Sequence, residues 1–591
     1  MWKKIKYVFS SIREYKRYAI MTPLFMIGEA GVECCIPFVM TLLMDHIDDL
    51  TDIKSLWPYL VALIGMAIVS ITCGILGGIT AAKASTGLAK NLRHDLYVKF
   101  QSYSFANIDK FSSSSLVTRM TTDVNNAQMA FQMCIRIVVR APLMFLFSII
   151  MAFVSGGLLA FVFIALIPIV FFGLLLIIKK AMPVFRSVFK RYDALNQSIE
   201  ENVSGIRVVK SFVREDYEKE KFNHASESIA KDFIKAEKIV AWNNPLLNTS
   251  IHISNLAVLA IGAWLIITSS SYDPNKGDYI WGKLSPSQMS ACITYGLQIL
   301  MSLMMISMII VMLVLSLESI RRIYEVMQEE STIKNPDNPL YKLDDGSVEF
   351  KNVNFKYSEN AERYALENIN LKIKSGQFVG IIGSTGSGKT SLVNLISRLY
   401  DITSGELIIG GHDIHEYDLK TLRDKVSVVL QKNVLFSGTI TSNLRWGDEH
   451  ATMEEIKDAC DLAQAREFIE SFPDGYDTYI EQGGTNVSGG QKQRLCIARA
   501  VLKKPNILIL DDSTSAVDTW TDALIRKGLK DRIPDTTKIV IAQRISSIED
   551  ADMIIVMNDG KIDAVGTHDE LLKDNEIYRE VYTSQTKKGG K

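Results

Sequence analysis

The chain has 591 residues, and its 65 Lys plus Arg against 66 Asp plus Glu leave a formal net charge of -1, a balance that argues against a nucleic-acid binder held by a basic surface. Hydrophobic residues at 48% and charged residues at 22% exclude a disordered or collagenous chain. The average conceals an uneven distribution, because long apolar windows lie before Glu318 and the remainder is as charged as a cytosolic enzyme. A membrane half followed by a soluble half is the first expectation.

Residues 1–17 place Trp2, Ile5, Phe9 and Ile12 at helical spacing among lysines, which predicts a helix lying in the membrane interface; no short apolar core with a small-residue cleavage site follows, so a signal peptide is not expected. About 20 apolar residues in a helix cross a bilayer core. Leu56 to Ala82 supplies 27 uncharged residues, one span. Ala141 to Ile178 supplies 38, about 57 Å as a helix, with Ser155-Gly156-Gly157 near the middle, and predicts two spans joined by a tight turn. Ile239 to Tyr272 and Leu284 to Leu317 are 34 residues each, one span apiece with an extension. Tyr18 to Met44 completes six spans if Glu29 and Glu33 are accepted inside it.

Lys and Arg number 27 in residues 1–17, 83–140 and 179–238, against Lys54, Lys276 and Lys283 in the other loops, so both termini are expected on the cytoplasmic side of a cell (inner) membrane. The two long inner connections are helical in pattern and predict stalks projecting from the spans. Glu29 and Glu33, four apart, share a helix face; they either contact substrate in a cavity or pair with Arg136, Arg140 or another polar group. Met301, Met304, Met305, Met308 and Met312 form a helical stripe suited to a cavity for varied apolar ligands, or to ordinary packing or lipid contact, with Met301, Met305 and Met308 the cavity candidates. The seven cysteines show no metal spacing and are read as reduced, mostly buried thiols.

Residues 329–345 are polar and contain prolines, as a linker does, and short apolar strands alternating with helices from 346 to 585 predict an α/β domain, with a tail at 586–591. FVGIIG (378–383) reads as a strand entering GSTGSGKT, residues Gly383, Ser384, Thr385, Gly386, Ser387, Gly388, Lys389 and Thr390, which satisfies the phosphate-binding loop pattern in its strand-loop-helix context. Backbone N–H groups of such a loop enclose phosphate oxygens, Lys389 neutralises their charge and Thr390 ligates Mg2+. The apolar strand 507–510 ends at Asp511, placed to hold the Mg2+ shell opposite Thr390, and Gln431 after VSVVL can reach the same metal. Tyr357 is placed either to stack on a nucleobase or as an ordinary edge-strand aromatic.

VSGGQKQR, Val487 to Arg494, resembles the signature of ATP-binding cassette (ABC) transporters, and EENVSGIRVVKSF (200–212) is similar to the second cytoplasmic coupling segment of ABC exporters. The resemblance covers nearly the whole chain and implies the exporter architecture: a six-helix α transmembrane domain (18–328) followed by an α/β P-loop nucleotide-binding domain, as one half of a two-chain transporter using ATP and Mg2+. It implies that Ser488, Gly489, Gly490 and Gln491 complete the ATP site of the other chain. Val487 stands where leucine is usual.

Two positions depart from that pattern. Asp512 stands where active members carry a glutamate base, and Gln543 where they carry a histidine switch. Aspartate holds its carboxylate about 1 to 1.5 Å further back, a displacement that can lower a rate by on the order of 10²-fold. The chain thus resembles the degenerate-site half of bacterial heterodimeric multidrug exporters, paired with a chain bearing Glu and His. A homodimer in which Asp512 and Gln543 suffice is the alternative at the level of assembly. For function, the alternatives are a dedicated lipid exporter half and a nucleotide-gated regulatory or channel subunit.

Overall fold

The computed structural model describes residues 2–45, 56–273, 278–280, 282, 284–358, 361–513 and 516–588, so Lys54, Lys276 and Lys283 lie outside the described residues. The chain divides into two compact units, 1–101 with 112–329, and 102–111 with 330–591.

The first unit is helical. Helix α1 (Trp2–Ser10) precedes α2 (Lys16–Asp45) and α3 (Trp57–Gln101); α4 (Phe105–Phe111) follows and belongs to the second unit. The chain continues as α5 (Val124–Gly156), α6 (Ala160–Ser204), α7 (Glu215–Val240), α8 (Asn243–Ser269) and α9 (Pro286–Gln328). Among the described residues five continuous helical stretches are long and apolar enough to cross a membrane. One runs from Ser113 to Phe185, too long for a single crossing, and breaks at Gly157 with φ +48°, a left-handed conformation that glycine adopts without steric cost. Phe153 and Phe161 meet edge-to-face at 5.4 Å across that break, so α5 and α6 form a hairpin and six spans result, as the length of the apolar window predicts.

Helix α2 packs on α3 and α5, and α9 runs along α5. The helix α1 is less peripheral than its amphipathic pattern implies: Val8 and Ile12 are buried, and Phe9 packs on Phe131 at 4.9 Å. Helices α3 and α6 continue well past the apolar windows, and α7 leads into the next one. In the similar segment 200–212, a one-turn helix, Ile206–Ser211, sits between α6 and α7.

Among the described residues the second unit contains two larger sheets and a two-stranded pair, Gly438–Thr439 with Tyr479–Ile480. An antiparallel sheet comprises β1 (Val348–Phe355), β2 (Leu366–Ile373), β4 (Ser404–Ile409) and β5 (His412–Asp413), in the order β2-β1-β4-β5; β3 (Phe378–Gly383) belongs to the other sheet. That sheet is completed by β6 (Val426–Val429), β7 (Ile507–Asp511), β8 (Thr537–Ile541), β9 (Met553–Asn558) and β10 (Lys561–Gly566), in the order β10-β9-β3-β8-β7-β6. All of its pairs are parallel except β9 with β10. The central strands β7 and β8 are buried along their whole length; β7 reads as an apolar run up to Asp511, whereas β8 opens with the buried Thr537 and Lys538. Residues 329–345, expected as a linker, are tied to this unit: Ile333 and Leu343 are buried and Leu340 bridges to Tyr417.

Candidate functional site

The parallel sheet brings the ends of β3 and β7 side by side with β8 between them, a strand-end arrangement that concentrates loops at one edge. From β3 the chain turns through Ser384–Ser387 into α10 (Lys389–Ile396). Gly388 caps that helix at φ +94°, where a Cβ would lie 2.9 Å from Leu366 and 3.0 Å from the Ala365 carbonyl, so only glycine fits. The Lys389 ammonium donates to the carbonyl oxygens of Gly383 at 2.8 Å and Ser384 at 2.7 Å, which fixes it across the mouth of the loop. Burial pulls its pKa down, opposed by the charges of Asp511 and Asp512.

Beside the loop, Thr390 donates to Asp511 Oδ2 at 2.9 Å. Asp511 is 2% exposed, and burial holds its pKa above the usual carboxylate value, with the Thr390 hydroxyl pulling it down and Asp512 adding to the rise. The next residue, Asp512, adopts φ +49°, a region aspartate visits more readily than most residues. Gln543 Nε2 donates to Asp512 Oδ2 at 2.7 Å, and Gln431 also hydrogen-bonds this carboxylate. Burial raises the Asp512 pKa, while both amides, Lys389 and Arg544 oppose the rise. The five positions singled out for metal and catalytic roles, Thr390, Gln431, Asp511, Asp512 and Gln543, thus lie together.

A cavity of about 610 Å³ opens over this loop, lined by Tyr357, Gly386, Gly388, Lys389 and Thr390. Tyr357 is half-exposed; its hydroxyl is 2.8 Å from Ser391 Oγ, and its ring meets Tyr400 edge-to-face at 5.1 Å. Tyr400 in turn donates to Asp109 of α4 at 2.6 Å. The cavity also takes Arg363, Tyr364 and Asp559, which sequence reasoning missed because they belong to loops flanking β2 and β10 and carry no motif. A loop of glycines at positive φ, a lysine at its mouth and a buried carboxylate against a hydroxyl fit a nucleotide triphosphate with a divalent cation.

Ser488 to Gln491 do not line that cavity. They open helix α11 (Gly489–Leu502), with Ser488 as N-cap: Gln491 N–H donates to Ser488 Oγ at 3.2 Å and Ser488 N–H to Gln491 Oε1 at 2.9 Å. Ser488 and Gly489 are exposed, leaving a positive helix end facing outward.

The ABC transporter transmembrane region family matches residues 19–303, and the ABC transporter family matches residues 366–515. The chain is 34% identical to the Bacillus subtilis "Uncharacterized ABC transporter ATP-binding protein YfiB" over 98% of each chain. The chain belongs to the ABC transporter family. It is also 36% identical to the B. subtilis "Putative multidrug export ATP-binding/permease protein YgaD", over 66% of this chain and 64% of that one. The structure of a bacterial Atm1-family ABC exporter with ATP bound shares the fold, with a TM-score of 0.81 at 23% identity over 97% of this chain and 98% of that one. The chain is therefore a half-transporter of an ATP-driven ABC exporter, with its transmembrane and cassette parts fused.

In the membrane unit, Arg140 Nη2 lies 2.8 Å from Glu33 Oε2 and 3.4 Å from Glu29 Oε1. Of the alternatives for these glutamates, the structure supplies the pairing partner; Arg136 is not part of it among the described contacts. Met301, Met305 and Met308 are exposed on one face of α9, at spacings of four and three. Four of the seven cysteines are buried, while Cys35 is exposed and Cys73 and Cys134 are half-buried.

Proposed function

We propose that this chain is the degenerate-site half of a heterodimeric exporter for lipophilic small molecules, with a slow ATP site of its own and a signature that completes its partner's site. The observation that carries this reading is Asp512 held by Gln543 at 2.7 Å next to Asp511. Its raised proton affinity leaves basicity intact; what is missing is reach, since the side chain is one methylene short and is tied down by two amides. Gln543 donates a hydrogen bond but cannot carry the positive charge of a histidine.

In this reading Tyr357 stacks on the base, Gly383 to Thr390 enclose the phosphates, and Thr390, Asp511 and Gln431 hold Mg2+, which supplies charge neutralisation when bound. The exposed helix end at Ser488 clamps the phosphate bound to the second chain, whose positions equivalent to Asp512 and Gln543 carry Glu and His. Closure of the two cassettes on ATP opens the membrane cavity outward. The cassette side, and with it both termini, faces the cytoplasm across the inner membrane. The name of the B. subtilis multidrug-export relative and the exposed methionine face of α9 support an apolar cargo.

The test is purification of the tagged chain from its native membrane, with identification of the chain bound to it. A different half-transporter with Glu and His is expected; recovery of the chain bound only to itself, with full ATPase activity, overturns the proposal. In the paired complex, Asp512→Glu with Gln543→His should raise hydrolysis at this chain's site by on the order of 10²-fold. An unchanged single-site turnover would place the defect elsewhere.

A further inference from the structure

Within the membrane unit, α6 and α7 border an open groove of about 750 Å³ lined by Lys180, Lys231, Lys235 and Lys238 and by no acidic residue. Three of these lysines sit four and three apart on α7, along one helix face. Lys231 is tied to Glu227 at 2.9 Å; Lys180, Lys235 and Lys238 have no ion-pair partner among the described residues. The neighbouring acid Asp232 is held by Arg191 at 3.0 Å. The apolar part of the lining comes from Leu176, Ile177, Ile234 and Ile239, with Leu176 and Ile234 themselves more than half exposed.

The depth of this groove is set by the sequence around it. Lys179 and Lys180 are the first charges after the uncharged run of α6, and Lys238 is the last before the uncharged run of α8. Trp242, which lines the same groove and is 68% exposed, sits at that boundary, where indole is enriched at membrane surfaces. Apolar lining, cationic residues and boundary tryptophan therefore coincide at one end of the uncharged runs, the headgroup level of a bilayer.

We infer that this groove is a binding site for an anionic phospholipid of the surrounding bilayer, its phosphate held by Lys180, Lys235 and Lys238 and the head of its acyl chains by the isoleucines below. Here a run of cations and an apolar groove complement both parts of one amphiphile. The site is distinct from the nucleotide cavity and from the methionine face of α9, so the lipid acts as a fixed component of the stalk base rather than as cargo.

The test uses the assembled full-length transporter in detergent, titrated with phosphatidylglycerol or phosphatidylcholine and followed by native mass spectrometry. Phosphatidylglycerol should bind preferentially, and the triple variant Lys180→Gln, Lys235→Gln, Lys238→Gln should lower its affinity by on the order of 100-fold, three surface charges being removed. Ile177→Trp, which intrudes on the apolar part of the groove and leaves every charge in place, should also weaken binding of phosphatidylglycerol. Equal binding of the two lipids, unchanged binding by either variant, displacement by millimolar inorganic phosphate, or burial of Lys235 under the second chain in crosslinking would each overturn the assignment.

Discussion

Lys389 at the mouth of the loop and the buried Asp511 beside Thr390 have their pKa values pushed in opposite directions by burial. A charge-assisted hydrogen bond is worth about 1.5–3 kcal/mol, so Lys389→Ala should weaken binding of a fluorescent ATP analogue by about 10- to 100-fold. Asp511 has a linked consequence for stability. Its folded pKa lies above its unfolded value, so folding takes up a proton between the two, and the contribution is greatest below the unfolded pKa and is lost as pH rises through the folded one. Without nucleotide, Asp511→Asn should therefore raise the melting temperature at pH 7, and its advantage over the wild type should shrink toward pH 4. The same variant should lose the Mg2+-dependent part of ATP binding. At this scale the sequence disclosed the identities, since Asp512 and Gln543 are visible as departures from a pattern. It did not disclose that they bond each other, because 31 residues, with a helix (Thr519–Arg532) and the strand β8, separate them.

The strands β3 and β7 and the helix opened by Ser488 were legible because each combines a periodic apolar run with a motif whose chemistry demands a defined strand or helix end. The antiparallel sheet was not anticipated: β1 and β2 alternate in burial and carry no motif, and their pairing depends on contacts that no local window contains. The membrane helices were legible from length alone, including the break at Gly157, whereas the partner of Glu29 and Glu33 had to be chosen between Arg136 and Arg140. That ion cluster ties α2 to α5. Arg140→Met should leave two carboxylates unpartnered at membrane depth, lowering stability by about 2.5–3.5 kcal/mol, read as loss of folded protein after heating in detergent. Adding Glu29→Gln and Glu33→Gln should recover most of that loss, because the neutral trio has no stranded charge.

At the scale of the whole molecule, the division into two units does not follow the order of the chain. Residues 102–111 lie between α3 and α5 in sequence yet fold with the cassette, where Asn107 donates to the Glu330 carbonyl at 3.1 Å and Phe105 packs on Tyr400 at 6.1 Å. This short helix is a hostage: both of its covalent tethers lead back to membrane spans, so whatever disturbs its berth tugs on them. Its berth is one ring removed from the cavity that holds Tyr357, through Tyr400. Under the proposed stacking of a base on Tyr357, two aromatic rings and a phenol-to-carboxylate bond connect that base to this helix. Tyr400→Phe keeps the rings and deletes that bond; it should leave ATP affinity within about twofold while reducing the substrate moved per ATP consumed, measured in vesicles that report both. Equal reduction of affinity and transport would assign Tyr400 to the pocket instead of to the tether.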